Sequence, residues 1–158
     1  MPLFTKQEKA LIKKLNTPAK VQDFLNKIPF NFENEKGRKR ETLRSPLFAL
    51  RHNKAHCFEG ALLGAYILSR HGFRPYIMYL KAARKDLDHV IAPFKVRGFW
   101  GALSKTNHAV LRYREPVYES VRELAMSYFH EYFTNHDGKK TLESFSKPFN
   151  LKKFGASW

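Results

Sequence analysis

The chain has 158 residues, a length that suits one domain, and 43% of them are hydrophobic with 15% aromatic. That composition excludes disorder over most of the length. Lys and Arg number 29 against 14 Asp and Glu, a formal net charge of +15. Such a surface attracts anions at long range, so nucleic acid, anionic lipid and acidic polymers are all open as partners, but the charge by itself names no chemistry. One cysteine, Cys57, excludes an intramolecular disulfide and leaves a buried apolar thiol or a reactive one.

The opening residues Met1 to Glu8 turn charged before any apolar run forms, and the longest apolar stretch, around Ala61 to Leu68, is too short to span a bilayer. A cytoplasmic location without a membrane span is the expectation. Thr5-Lys6-Gln7-Glu8 is a capping box that starts a helix running towards Leu15. Thr17-Pro18 starts a second, with Val21, Phe24, Leu25 and Ile28 as its apolar stripe and Pro29 as its stop. Residues 30–54 read as a long charged loop that includes Gly37-Arg38-Lys39-Arg40. It is either a surface loop or an anion-binding or gating loop beside a site.

From Cys57 to Leu68 the pattern is apolar on nearly all sides, which marks a buried helix. Gly60, Ala61, Gly64 and Ala65 leave room for another element to approach it, and Gly72 suits its end. Strands are expected at Phe73–Leu80, Leu87–Val96 and Phe99–Ser104, the last two forming a hairpin through Gly98, and a short one at Val110–Tyr113. Ser120–Phe133 reads as a helix, and residues 134–158 as a polar tail. Helices, a buried central helix, an antiparallel sheet and a further helix together make an α+β domain spanning residues 1–158.

Cysteine catalysis needs a thiolate, a base beside it and a group that orients the base. Cys57 falls at the start of the buried helix, where partial positive charge and unpaired N–H groups favour a thiolate and an oxyanion alike. His89 lies on an apolar strand two elements later. Glu59 suits the helix start electrostatically. Arg112 and Arg114 alternate along Leu111–Glu115 as a solvated face or a binding pair for a substrate carboxylate or phosphate, and Trp100 reads as core or cleft wall.

Ala55-His56-Cys57-Phe58-Glu59-Gly60-Ala61, then Asp88-His89-Val90-Ile91-Ala92, then Gly98-Phe99-Trp100-Gly101 through Ser104 resemble bacterial transglutaminase-like domains, relatives of papain. Thr17-Pro18 through Leu25 resembles the lead-in helix of that group. The resemblance covers roughly residues 17–133 and implies Cys57 as nucleophile, His89 as general base and acid, and an Asp that orients the imidazole. The sequence departs from the pattern at that third member, because the expected Asp falls on Ser104. Asn107 has the papain-like chemistry. A two-residue turn at Arg97-Gly98 would pair position 89 with 106, putting Ser104 on the His89 face and Asn107 away from it, and one more turn residue would reverse the choice.

The resemblance implies a cysteine hydrolase or acyltransferase acting on an amide, isopeptide or thioester bond of a protein or peptide-like substrate, with no cofactor and no metal. The competing readings are a weak or inactive binding module on the same fold, a nucleic-acid binder carried by the charge, and a metal site drawn from His52, His56, Cys57 and His108.

Overall fold

The computed structural model describes residues 4–35, 38–39 and 42–155. Gly37 and Arg40 of the basic run, the first three residues and the last three lie outside the described residues. Helix α1 (Lys6–Lys14) begins at the Thr5–Glu8 capping box, and α2 (Pro18–Lys27) begins at Thr17 with Pro18 in its first turn. Ile28 leaves helical geometry just before Pro29. Two corrections concern residues 30–54. A short antiparallel pair, β1 (Asn34–Glu35) and β2 (Arg38–Lys39), and a helix, α3 (Pro46–His52), stand where a loop was expected. Ser45 caps α3 and Pro46 opens it, so its start signal is local; its single buried turn gives little periodicity to read.

Helix α4 (Cys57–Ser69) is the centre of the molecule. Eight of its thirteen residues are buried, among them Gly60, Ala61, Gly64 and Ala65. Against it lies a six-stranded antiparallel sheet of β3 (Tyr76–Ala82), β4 (His89–Val96), β5 (Phe99–Ser104), β6 (Arg114–Tyr118), β7 (Leu142–Phe145) and β8 (Phe149–Asn150). The strand order is β6-β5-β4-β3-β7, with β8 also pairing β3. Strand β4 is central, and its first six residues are all buried. Val90, Ala92 and Phe94 pack into the core shared with α1 to α4, while Ile91 joins a second core under α5 (Val121–Met126), Tyr128 and Tyr132. Helices on both faces thus enclose the sheet, which is why β4 is apolar without interruption.

Three further expectations are corrected. The strand expected at Val110–Tyr113 forms at Arg114–Tyr118, because Leu111 takes a positive φ of 59° and breaks extended geometry. Helix α5 stops at Met126, and Phe129–Glu131 is a separate 3-10 turn. The C-terminal stretch is not merely a tail: β7 and β8 pair with β3, and Leu151 is buried.

The turn between β4 and β5 has two residues, Arg97 and Gly98, both with positive φ, the geometry that follows the twist of a hairpin. It pairs Ile91 with Ser104 and brings the end of β5 against α4. A Cβ on Gly60 would lie 2.3 Å from Lys105 Cβ, and one on Gly64 would lie 2.8 Å from Leu103 Cδ1. Overpacking of this kind costs about 1–3 kcal/mol, more than the ~0.5–1 kcal/mol that alanine gains over glycine in a helix. Gly60→Ala is therefore expected to lower the calorimetric melting temperature by several degrees; an unchanged or raised value would disprove the close approach of β5 to α4.

Candidate active site

Cys57 is the first residue of α4, and His56 is its N-cap. His56 and Glu59 form a reciprocal capping box, in which the His56 amide donates to Glu59 Oε2 at 3.1 Å. The His56 ring bridges two segments. Its Nδ1 accepts from the Phe58 amide at 3.2 Å, and its Nε2 donates to the Thr42 carbonyl at 2.8 Å. Glu59 is fully buried, and its carboxylate also accepts from the Thr42 hydroxyl at 2.8 Å, Asn31 Nδ2 at 3.1 Å and the Arg44 amide at 3.1 Å. Burial alone would raise its pKa, but these donors outweigh that and hold it below the usual carboxylate value.

His89 is 5% exposed. Its Nε2 lies 2.7 Å from Ser104 Oγ, and the Ser104 hydroxyl donates in turn to the Leu111 carbonyl. A hydroxyl has one proton. With that proton on Leu111, Ser104 accepts, so His89 Nε2 carries the hydrogen and Nδ1 is left to face a partner. His56 directly precedes Cys57 and His89 lines the same cavity, so both imidazoles, and the Val90 amide, act on the thiol electrostatically. Burial pushes the thiol pKa up, but the two imidazoles and the Val90 amide more than reverse this, bringing it down to about 6. His56 shows the complement: burial opposes its cation, while the Cys57 thiolate, the Thr42 carbonyl and Glu59 raise its pKa to about 9. Protonating Nδ1 sacrifices the bond from Phe58, so the imidazolium form exists at the expense of one capping contact.

Ser104 is held by its backbone. Gln22, buried on α2, accepts from the Ser104 amide at 2.9 Å and donates to the Ser104 carbonyl at 2.8 Å. Sequence reasoning missed Gln22, although a polar residue between Val21 and Leu25 on an apolar stripe was a visible signal. It also missed Lys105, which is buried beside the site and donates from Nζ to the carbonyls of Leu25, at 2.9 Å, and Ile28, capping the end of α2. Burial lowers the Lys105 pKa.

The structure gathers Cys57, His89, Asn107 and Lys105 around one cavity of about 90 Å³, which Phe30, Asp86, Leu87, Asp88 and His108 also line. Asn107 lines this space but makes no side-chain hydrogen bond to His89 among the described residues. Asp88 is occupied in the β3–β4 connection, accepting from the Ala82 amide at 2.7 Å and from the Tyr79 hydroxyl. Trp100 lies elsewhere, in a separate cleft of about 520 Å³ with Tyr76 and Lys95, whose ammonium sits 4.6 Å from its ring centre. Arg114 is tied to Glu131 at 2.7 Å and to Ser127, and lies over the Tyr128 ring. Arg112 offers its carbonyl to Tyr128, and neither arginine lines the Cys57 cavity. Among the described residues, no group of three or more His, Cys, Asp or Glu side chains is arranged to hold a metal ion, and no helix is long and apolar enough to cross a membrane.

No protein-family model and no curated protein matches the sequence. Solved structures do match the fold. Calcium-bound LapG of Legionella pneumophila superposes with a TM-score of 0.54 at 15% identity, over 90% of this chain and 75% of that one. A second LapG structure gives 0.50 at 13% identity, over 95% and 82%. With helices enclosing a curled antiparallel sheet and a cysteine at the head of the central helix, the chain has the transglutaminase-like, papain-related fold.

Proposed function

We propose that this chain is a cysteine hydrolase of the bacterial transglutaminase-like kind, acting on an amide, isopeptide or thioester carbonyl. The observation that supports it best is a thiol at a helix start that shares one cavity with an imidazole whose Nε2 is oriented by Ser104 at 2.7 Å. In this reading the Cys57 thiolate attacks the carbonyl carbon. The oxyanion is met by N–H groups at the start of α4, with the Cys57 amide at the first helical position. The imidazolium of His89 gives its proton to the departing amine or thiolate, leaving a thioester on Cys57. His89 then takes a proton from water, which attacks the thioester and releases the acid and free thiol. An amine in place of water would give acyl transfer; no residue pattern marks an amine site, so hydrolysis is the reading we adopt.

A second reading has its own observation. Ser104 stands where a carboxylate would stabilise the imidazolium, and a neutral orienter fixes the tautomer without that charge. A weak site, or a binding module on this fold, is the consequence if the thiol is not activated.

Thiolate forms as pH rises through the thiol pKa. Alkylation of Cys57 by iodoacetamide, followed by mass spectrometry, is therefore expected to rise with a midpoint near 6. In His89→Ala the midpoint should move up towards the ordinary thiol value of about 8.5. A wild-type midpoint already near the ordinary value would remove the hydrolase reading and leave the binding module. Ser104→Ala takes away one hydrogen bond to His89, worth about 1 kcal/mol. Its alkylation rate at about pH 5, well below the midpoint, should fall roughly 5-fold; a rate equal to wild type would show that Ser104 does not position the imidazole.

A further inference from the structure

Two clefts away from the Cys57 cavity share one chemistry. The first, of about 520 Å³, sets Arg74 and Lys95 among Phe73, Tyr76 and Trp100. The second, of about 460 Å³, sets Lys9, Lys13 and Arg70 among Phe4 and Tyr66. His71 lines both, and its Nε2 donates to the Ile12 carbonyl at 2.9 Å, which fixes the wall between them. Arg70 closes the end of α4 opposite Cys57, about 20 Å along the helix. Lys95 lies about 20 Å along β4 from His89. No Asp or Glu lines either cleft. Among the described residues, none of the five Lys and Arg side chains pairs with a carboxylate. Lys13 and Arg70 stand at helix ends, where a cation suits the dipole. Arg74 and Lys95 stand on no helix, and their partners are aromatic: the Tyr76 hydroxyl at 3.4 Å and the Trp100 ring at 4.6 Å. Unbalanced cations around a concave space raise its potential and draw an anion into it.

We propose that the two clefts form one track for single-stranded nucleic acid. Bases lie against Tyr76 and Trp100 in the first cleft and against Phe4 and Tyr66 in the second, and phosphates meet the cations between them. The inference does not depend on the cysteine-hydrolase reading. Both volumes fall in the range of about 300–1,000 Å³ that takes a nucleotide-sized ligand. Flat aromatic walls interleaved with cations match a chain that alternates planar rings and negative charge, whatever its sequence. A duplex hides its base faces and leaves those walls without a use. An anionic membrane would need apolar side chains that protrude, whereas all five aromatics here are half-buried. An acidic peptide supplies the charge without the rings.

The test uses the full chain and a fluorescent oligothymidylate of about 12 nucleotides, followed by anisotropy across a salt series. Binding should weaken with salt at a log–log slope of about −3, the release expected for four or five phosphate contacts on a single strand. Arg74→Gln combined with Lys95→Gln should make that slope shallower by about 1 to 1.5. Arg84→Gln combined with Lys139→Gln removes the same charge outside the clefts and should leave it unchanged. Trp100→Leu should weaken binding about 10-fold, the loss of one stacked base, with the slope kept. Trp100→Phe keeps a ring and should bind nearly as wild type, and circular dichroism checks that both variants fold. Absence of binding at about 50 mM salt, an equal loss in the control pair, or equally tight binding of a duplex of the same length would each overturn the proposal. If phosphatidylserine vesicles bind the chain and Trp100→Leu weakens that binding instead, the clefts serve a lipid surface and the proposal falls. Cys57 alkylation is measured alongside and should not change in any cleft variant, so the two readings stand or fall separately.

Discussion

The buried carboxylate of Glu59 is the constraint from which the site follows. A carboxylate without solvent must be supplied with donors, and Glu59 draws them from four residues, Asn31, Thr42, Arg44 and His56. Two of these are backbone amides and two are side chains, so a charged segment distant in sequence is pinned to the first turn of α4. The Arg44 guanidinium adds charge at 3.7 Å. Thr42, once placed, offers its carbonyl to His56, and His56 in turn flanks the thiol. The residue that caps the helix is thus also the one that acts on the thiol, which couples local helix energetics to the ionisation of Cys57.

Ser104 solves the orientation problem differently from a carboxylate. Its hydroxyl proton is committed to the Leu111 carbonyl, so its oxygen can only accept from His89. That commitment depends on Leu111 holding a positive φ, an unfavourable state for leucine, fixed by its amide donating to Glu131 at 2.7 Å. Glu131 is also the partner of Arg114. Arg114, which sequence pattern offered as a substrate contact, lies in the shell that holds the loop behind Ser104. A neutral acceptor that cannot swing away keeps one tautomer of His89 at little electrostatic benefit.

How much of this could be read in advance divides along the range of the interactions. Helices α1, α2 and α4, and strands β3, β4 and β5, carry local signals: a capping box at Thr5, Thr17-Pro18, an apolar run after Cys57 and a glycine turn at position 98. Residue type and element position single out Cys57 and His89 as a candidate pair, and the fold brings both to one cavity. Strands β7 and β8 were not legible, since Leu142–Phe145 and Phe149–Asn150 gain strand character only by pairing with β3 some seventy residues away. Helix α3 was hidden by the charge of the stretch before it, despite Ser45-Pro46. Gln22 and Lys105 were illegible for a related reason. A polar side chain on a buried face makes sense only once its partner is known, and those partners are backbone groups of β5 and of the end of α2.

The register of the β4–β5 hairpin joins a surface turn to the candidate site. Because side chains alternate along a strand, one extra residue between Val96 and Phe99 would shift Ser104 off the His89 face and present Leu103 or Lys105 instead. Leucine cannot accept a hydrogen bond, and a lysine ammonium would repel an imidazolium. Arg97 at a φ of 51° and Gly98 at 89° hold the turn to two residues. Gln22 enforces the same register from the far end by gripping both backbone groups of Ser104, and Gly60 enforces it again by admitting Lys105 at one position only. Three independent contacts from three elements therefore specify one alignment. A sheet whose only task was to fill a core would tolerate the neighbouring apolar pairings with less cost. The convergence on Ser104 is what distinguishes this edge of the sheet from the rest of it.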